Sequence, residues 1–99
     1  MDIQAAAACM AELGHVKRLA IYRLLIEAGS EGVTMGEVGC KLSIPASTLC
    51  HHVKRLVAVG LVEQLPDKQK LCCVPVYGRL EELIGFLTEK CCKKKCEKP

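Results

Sequence analysis

Apolar and polar residues follow two different periods along this chain, and the change from one to the other divides it. Between His15 and Ala28 the apolar residues Val16, Leu19, Ala20, Leu24 and Ala28 recur at helical spacing, with Lys17, Arg18, Arg23 and Glu27 between them, and Gly29 ends the run. The preceding segment, Ala5 to Leu13, consists of strong helix formers and closes at Gly14, so His15 caps or flanks the helix that follows. Thr34 with Glu37 predicts a capping box at the start of a third helix, whose buried stripe is Met35, Val38 and Leu42 and whose end falls near Ser43. Pro45 opens a fourth helix at a first-turn position, where its missing N–H costs little. Leu49, Val53, Leu56 and Val57 give that helix its buried face up to Gly60, and Ser47, Thr48, His51, Lys54 and Arg55 fall largely on the other side.

Two helices joined by Ser43-Ile44-Pro45 read as a helix-turn-helix. After Gly60 the period shortens. Leu61 to Leu65 and Leu71 to Val76 are short apolar runs flanking Pro66 to Lys70, a two-stranded hairpin with a polar, basic tip. A last helix is expected from Gly78 to Cys92, with Leu80, Leu83, Ile84 and Leu87 as its apolar positions. The order α-α-α-α-β-β-α is mainly helical with a small β-hairpin, a winged helix-turn-helix over residues 1–90 followed by a Cys/Lys-rich tail over 91–99.

Composition narrows this picture. A chain of 99 residues holds one domain and buries only about two-thirds of its unfolded surface. With one Phe, two Tyr and no Trp the core is aliphatic, which argues against aromatic platforms for stacking single-stranded bases. Residues 1–90 carry ten Lys/Arg and ten Asp/Glu, so the net +3 comes from Lys93, Lys94, Lys95 and Lys98 against Glu97. A second basic stretch, Lys41, Lys54 and Arg55, meets no acid between Glu37 and Glu63 and suits a phosphate contact as well as a solvated helix face. The first residues, Met-Asp-Ile-Gln and four Ala, lack the basic start of a secretory signal, and no apolar run is long enough to span a bilayer. The expected address is therefore the cytoplasm, where thiols stay reduced. The eight Cys alone favour a disulfide scaffold, whereas the vicinal pairs Cys72-Cys73 and Cys91-Cys92 speak against one.

The helix after Pro45 presents Ser47, Thr48, His51 and His52 and then Lys54 and Arg55. Short hydroxyl and imidazole groups reach base edges in a major groove, while cations hold phosphates. Lys68 and Lys70 at the hairpin tip extend that contact as a wing. The same pattern also fits a winged helix that binds protein instead of double-stranded DNA. His51 and His52 are adjacent, about 100° apart on a helix, so they do not form a two-His metal site; one is expected partly buried and the other facing DNA. No oriented Cys/His pair, carboxylate dyad or phosphate-cradling glycine loop points to an enzyme.

Gly14-His15-Val16-Lys17-Arg18-Leu19-Ala20-Ile21, then Ser47-Thr48-Leu49-Cys50-His51-His52-Val53-Lys54-Arg55-Leu56, Gly60-Leu61-Val62 and the hairpin resemble the ArsR-type (ArsR/SmtB) winged-helix repressors, over roughly Leu13 to Cys92. The resemblance implies a homodimer, with first and last helices at the subunit interface, that represses an operon until a metal or metalloid binds. Two positions depart from the pattern. Thr34 and Gly36 stand where the best-known members carry a Cys-Val-Cys motif, so that site is lost, and Cys50 stands where the family usually has Ser. The tail resembles a subgroup with Cys-Cys and a third Cys at the end of the last helix.

Cys92 and Cys96 are one helical turn apart and Cys91 is adjacent, so three sulfurs can converge there into a soft, all-sulfur site. As(III), a pyramidal ion satisfied by three sulfurs, suits such a site, whereas zinc wants a fourth ligand. Lys93, Lys94 and Lys95 favour the thiolate form. The expected function is thus an arsenic-responsive repressor that leaves its operator when As(III) binds these three thiols. Antimonite, trivalent organoarsenicals such as methylarsenite or thiol oxidation are alternative signals. Of the other thiols, Cys9 and Cys40 are expected to be small buried hydrophobes, and Cys9 could also approach a partner's tail. One of Cys72 and Cys73 should be in the core, and Cys50 replaces Ser in packing or near DNA.

Overall fold

The structure, a computed structural model, describes residues 1–90. These form α1 (Ile3–Leu13), α2 (Val16–Ala28), a short 3-10 turn (Gly29–Glu31), β1 (Val33–Thr34), α3 (Met35–Leu42), α4 (Ala46–Ala58), β2 (Val62–Asp67), β3 (Lys70–Pro75) and α5 (Tyr77–Thr88). Local chemistry sets most boundaries. Asp2 caps α1 by accepting from the Ala5 N–H at 2.7 Å, and the His15 Nδ1 accepts from the Lys17 N–H at 3.1 Å to cap α2. Thr34 and Glu37 form the expected reciprocal box. Pro45 sits one position earlier than expected, as the N-cap of α4, with its carbonyl accepting from the Leu49 N–H.

The hairpin pairs Asp67 with Lys70 across a two-residue turn, Lys68-Gln69, with Lys68 at φ 60°. Pairing therefore runs further into the basic tip than sequence spacing suggested. Pro66 is tolerated because β2 is an edge strand in the order β1-β3-β2. The third strand, β1, was not expected: its two residues carry no alternation to read. Val33 and Thr34 pair antiparallel with Cys73 and Cys72, so the wing is stitched to the residue that caps α3. At the base, the Val76 N–H donates to the Leu61 carbonyl and the Leu61 N–H to that of Leu56, tying the hairpin to α4.

The core is aliphatic, as composition implied: Ile21, Leu25, Val38, Leu49, Val53, Leu56, Leu61 and Leu83 are buried, together with Cys9 and Cys73. Four expectations are corrected. The buried face of α2 is Ile21, Tyr22 and Leu25, whereas Val16, Leu19 and Ala20 are exposed; apolar and charged residues are spread around the whole helix, so periodicity alone misplaced its stripe. Val57 is exposed, lying at the edge of the α4 apolar arc. Cys40 is exposed and lines an open groove of about 490 Å³ with Leu24, Val33 and Lys41. Helix α5 runs from Tyr77 to Thr88, with Glu89 and Lys90 already in a turn, so it stops short of the expected run from Gly78 to Cys92. Cys9 is buried, its thiol donating to the Val59 carbonyl at 3.6 Å. On β3, Cys73 is buried against Met35, with sulfurs 3.3 Å apart, and Cys72 is half-exposed. Burial pushes the Cys73 thiol up from its ordinary range.

Candidate nucleic-acid interface

Helix α4 is held from beneath by Leu49, Val53 and Leu56, which leaves Ser47, His51 and Lys54 along its solvent side. Thr48 is half-buried and Arg55 exposed on one shoulder of that row, and Cys50 is half-buried on the other. Lys68 and Lys70 are exposed on the wing, and Lys70 lies near Glu37 at the start of α3. The Thr34 backbone and hydroxyl donors hold the Glu37 carboxyl below the usual carboxylate range, with Lys70 and Lys41 adding to the effect.

His52 is not on this surface. It is 6% exposed and packs under the N-terminal end of α2, where its Nδ1 accepts from the Arg18 Nε at 3.2 Å. Of the adjacent pair, one is thus buried and the other outward, and His52 is removed from the set able to touch DNA. Its ring stands 4.7 Å from that of His15 and 5.9 Å from that of His51. Burial, and then the positive neighbours His15, Arg18, His51 and Lys17, lower its pKa from 6.5.

Beneath Arg18 and Arg55 lies one carboxylate. Glu12, on α1, accepts from the Arg55 Nε at 2.9 Å and from its Nη2 at 3.3 Å, and also pairs with the Arg18 Nη1. Hydrogen bonding from Arg55, followed by the charge of both guanidinium groups, holds the Glu12 carboxyl below its ordinary value despite desolvation. Sequence reasoning missed Glu12 and Arg18 altogether: their partners on α4, Arg55 and His52, are 43 and 34 positions away, and no local spacing marks them.

The buried neutral imidazole has a consequence for stability. The unfolded chain protonates His52 near 6.5 while the folded chain resists, so the unfolded state binds more protons as pH falls below that value and stability declines. We expect urea midpoints to drop between pH 7 and 5.5, with His52 contributing no more than about 1.4 kcal/mol per pH unit. His52→Gln should flatten that slope, and an unchanged slope would show that the charge is accommodated.

A helix-turn-helix followed by a β-hairpin that pairs with the strand preceding it, with a polar outward row on the second helix, defines the winged helix-turn-helix class of DNA-binding folds. Residues 13–64 match the family described as a helix-turn-helix domain. An ArsR-like transcriptional regulator from Rhodococcus sp. RHA1 superposes with a TM-score of 0.77 at 20% identity, over 87% of this chain and 78% of that one. HlyU from Vibrio cholerae N16961 gives 0.72 at 21% identity, covering 93% and 99%. NolR from Sinorhizobium fredii gives 0.68 at 26%, covering 87% and 83%. No curated protein sequence matches the chain. The chain belongs to the helix-turn-helix domain family and has the fold of the ArsR-type winged-helix regulators; family and fold are those of a DNA-binding transcriptional regulator, not of an enzyme.

Among the described residues, no helix is long and apolar enough to cross a membrane, and no group of three or more His, Cys, Asp or Glu is placed to hold a metal ion. Cys9, Cys40, Cys50, Cys72 and Cys73 are free thiols. The proposed ligand set Cys91, Cys92 and Cys96 lies outside the described residues.

Proposed function

We propose that this regulator is a homodimeric repressor that reads duplex operator DNA with α4 and the wing and releases it when As(III) is bound by Cys91, Cys92 and Cys96. The observation that carries the DNA half is the outward row of Ser47, His51 and Lys54, flanked by Thr48 and Arg55 and placed on the same domain as the basic wing. In this reading the hydroxyls and His51 meet base edges, and Lys54, Arg55, Lys68 and Lys70 meet phosphates. Dimerisation is supported by the apolar side chains that α1 and α5 turn outward: Ile3 is 71% exposed, Ile84 53% and Leu87 58%, and a second copy would cover them. The arsenic half rests on the donor set of the 91–99 segment, three thiols with no imidazole and with Glu97 as the one carboxylate side chain. As(III) supplies a pyramidal link among three sulfurs. A link at that place, immediately after α5, would act on the dimer interface and through it on the two α4 helices, and ligand and DNA would weaken each other reciprocally.

Anisotropy of a labelled duplex taken from upstream of the gene tests both halves. Affinity should fall steeply with salt. Arsenite should release the DNA from the wild type and leave the Cys91→Ser, Cys92→Ser double variant bound; release unchanged in that variant refutes the sensing site. Parallel titrations with methylarsenite, antimonite, cadmium and zinc assign the inducer. Cys96→Ser should abolish the response to arsenite and spare that to methylarsenite if the methylated form, needing only two thiols, is the natural signal.

A further inference from the structure

We propose that Glu12 is a positioning residue for DNA binding: from α1 it grips one edge of the Arg55 guanidinium and presents the other edge to a phosphate. The inference rests on the DNA-binding reading above and assigns a part in it to a residue of another helix. Arg55 lies 100° round α4 from Lys54, on the shoulder of the outward row, where a side chain meets the backbone of a duplex more readily than its base edges. Glu12 engages its Nε and Nη2 as a fork, while Nη1 makes no hydrogen bond among the described residues. The fork spends one of the two hydrogen-bonding edges of the guanidinium and leaves the end carrying Nη1 outward.

The grip is itself anchored. The Glu12 side chain is 14% exposed and that of Arg18 11%, and Arg18 is in turn fixed to His52 of α4 through its Nε. One carboxylate therefore joins α1, α2 and α4, and an otherwise free arginine, 49% exposed, is held in a single orientation. Holding it in advance lowers the rotamer entropy lost on binding phosphate.

Electrostatics alone predicts the opposite of this proposal. Glu12→Gln removes a negative charge beside the DNA surface and should tighten binding if charge were the whole effect. Positioning instead predicts roughly tenfold weaker binding, a salt dependence shallower by about one counterion, and the same change in Arg55→Ala. The decisive measurement is the cycle of Glu12→Gln, Arg55→Ala and the double variant, titrated on the upstream duplex at several salt concentrations. The double variant should match Arg55→Ala.

Tighter binding in Glu12→Gln would mean that Glu12 masks Arg55, and an equal loss in both Arg55 backgrounds would mean that Glu12 merely supports α4. Either overturns the proposal. If thermal melts show Glu12→Gln unfolded, Glu12→Asp replaces it: it keeps the charge but is a methylene too short to hold both arginines, and its loss should likewise vanish in the Arg55→Ala background. A wild type whose affinity for the duplex is insensitive to salt overturns the DNA reading and this proposal with it. Normal wild-type binding, weakened by Arg55→Ala and unchanged by Glu12→Gln, overturns the proposal alone.

Discussion

Gly32→Ala is expected to destabilise the domain by about 3 kcal/mol or more, whereas Gly29→Ala should cost about 1–3 kcal/mol. Both glycines occupy backbone conformations essentially closed to other residues, Gly29 at φ 80°, ψ −160° and Gly32 at φ 80°, ψ 171°. They differ in what surrounds them. A Cβ at Gly29 would meet nothing within 4 Å, while one at Gly32 would lie 2.8 Å from the Val74 Cγ1 and 3.1 Å from the Cys73 carbonyl oxygen. The Val74 methyl has some freedom to move; the carbonyl belongs to the strand that pairs with β1 and has little. The pair of variants thus separates backbone strain from the close approach of β3. Urea unfolding of the two reads the difference directly, and equal losses would show that the wing base relaxes at no cost.

Leu56→Ala should cost about 2–5 kcal/mol and its neighbour Val57→Ala no more than about 0.5 kcal/mol. Leu56 is fully buried on the inner face of α4, and its carbonyl accepts from the Leu61 N–H at the turn into the wing, so truncation opens a cavity under that helix. Val57 is 37% exposed. Denaturant midpoints with unchanged m-values would establish these as losses of stability and not of compactness. A large effect at Val57 would indicate that a partner covers it.

The two residues also show how far the sequence could be read. Leu56 and Val57 are equally apolar and adjacent, and a 3.6-residue period places both within a broad stripe; only the packing of α2 and the wing decides which one is enclosed. In α2 the ambiguity is greater, since the run from Leu19 to Ile26 has Arg23 as its one charged residue, and the stripe read from it was rotated away from Ile21, Tyr22 and Leu25. Where a single local mechanism sets the structure, the reading succeeds: Thr34 with Glu37 starts α3, His15 caps α2, and β-alternation separates Cys72 from Cys73. Two-residue β1 and the Glu12 grip are fixed by partners tens of positions away and leave no local trace. On α4, Ser47, His51 and Lys54 were legible because they oppose the apolar stripe. His52 looked equivalent until the position of Arg18 was known.

Thr34 serves two elements at once, as the last residue of β1 paired with Cys72 and as the cap of α3. The root of the wing is therefore pinned to the start of α3, and α4 and the hairpin tip project as two prongs of one fork. In the proposed mode of DNA binding, the distance along a duplex between the groove that α4 would fill and the backbone that the wing would meet is then a gauge set within each copy of the chain. If the proposed dimer forms, its operator could vary in the number of base pairs between its halves, which the pairing of subunits would control, but an insertion within a half-site would leave one prong off its mark.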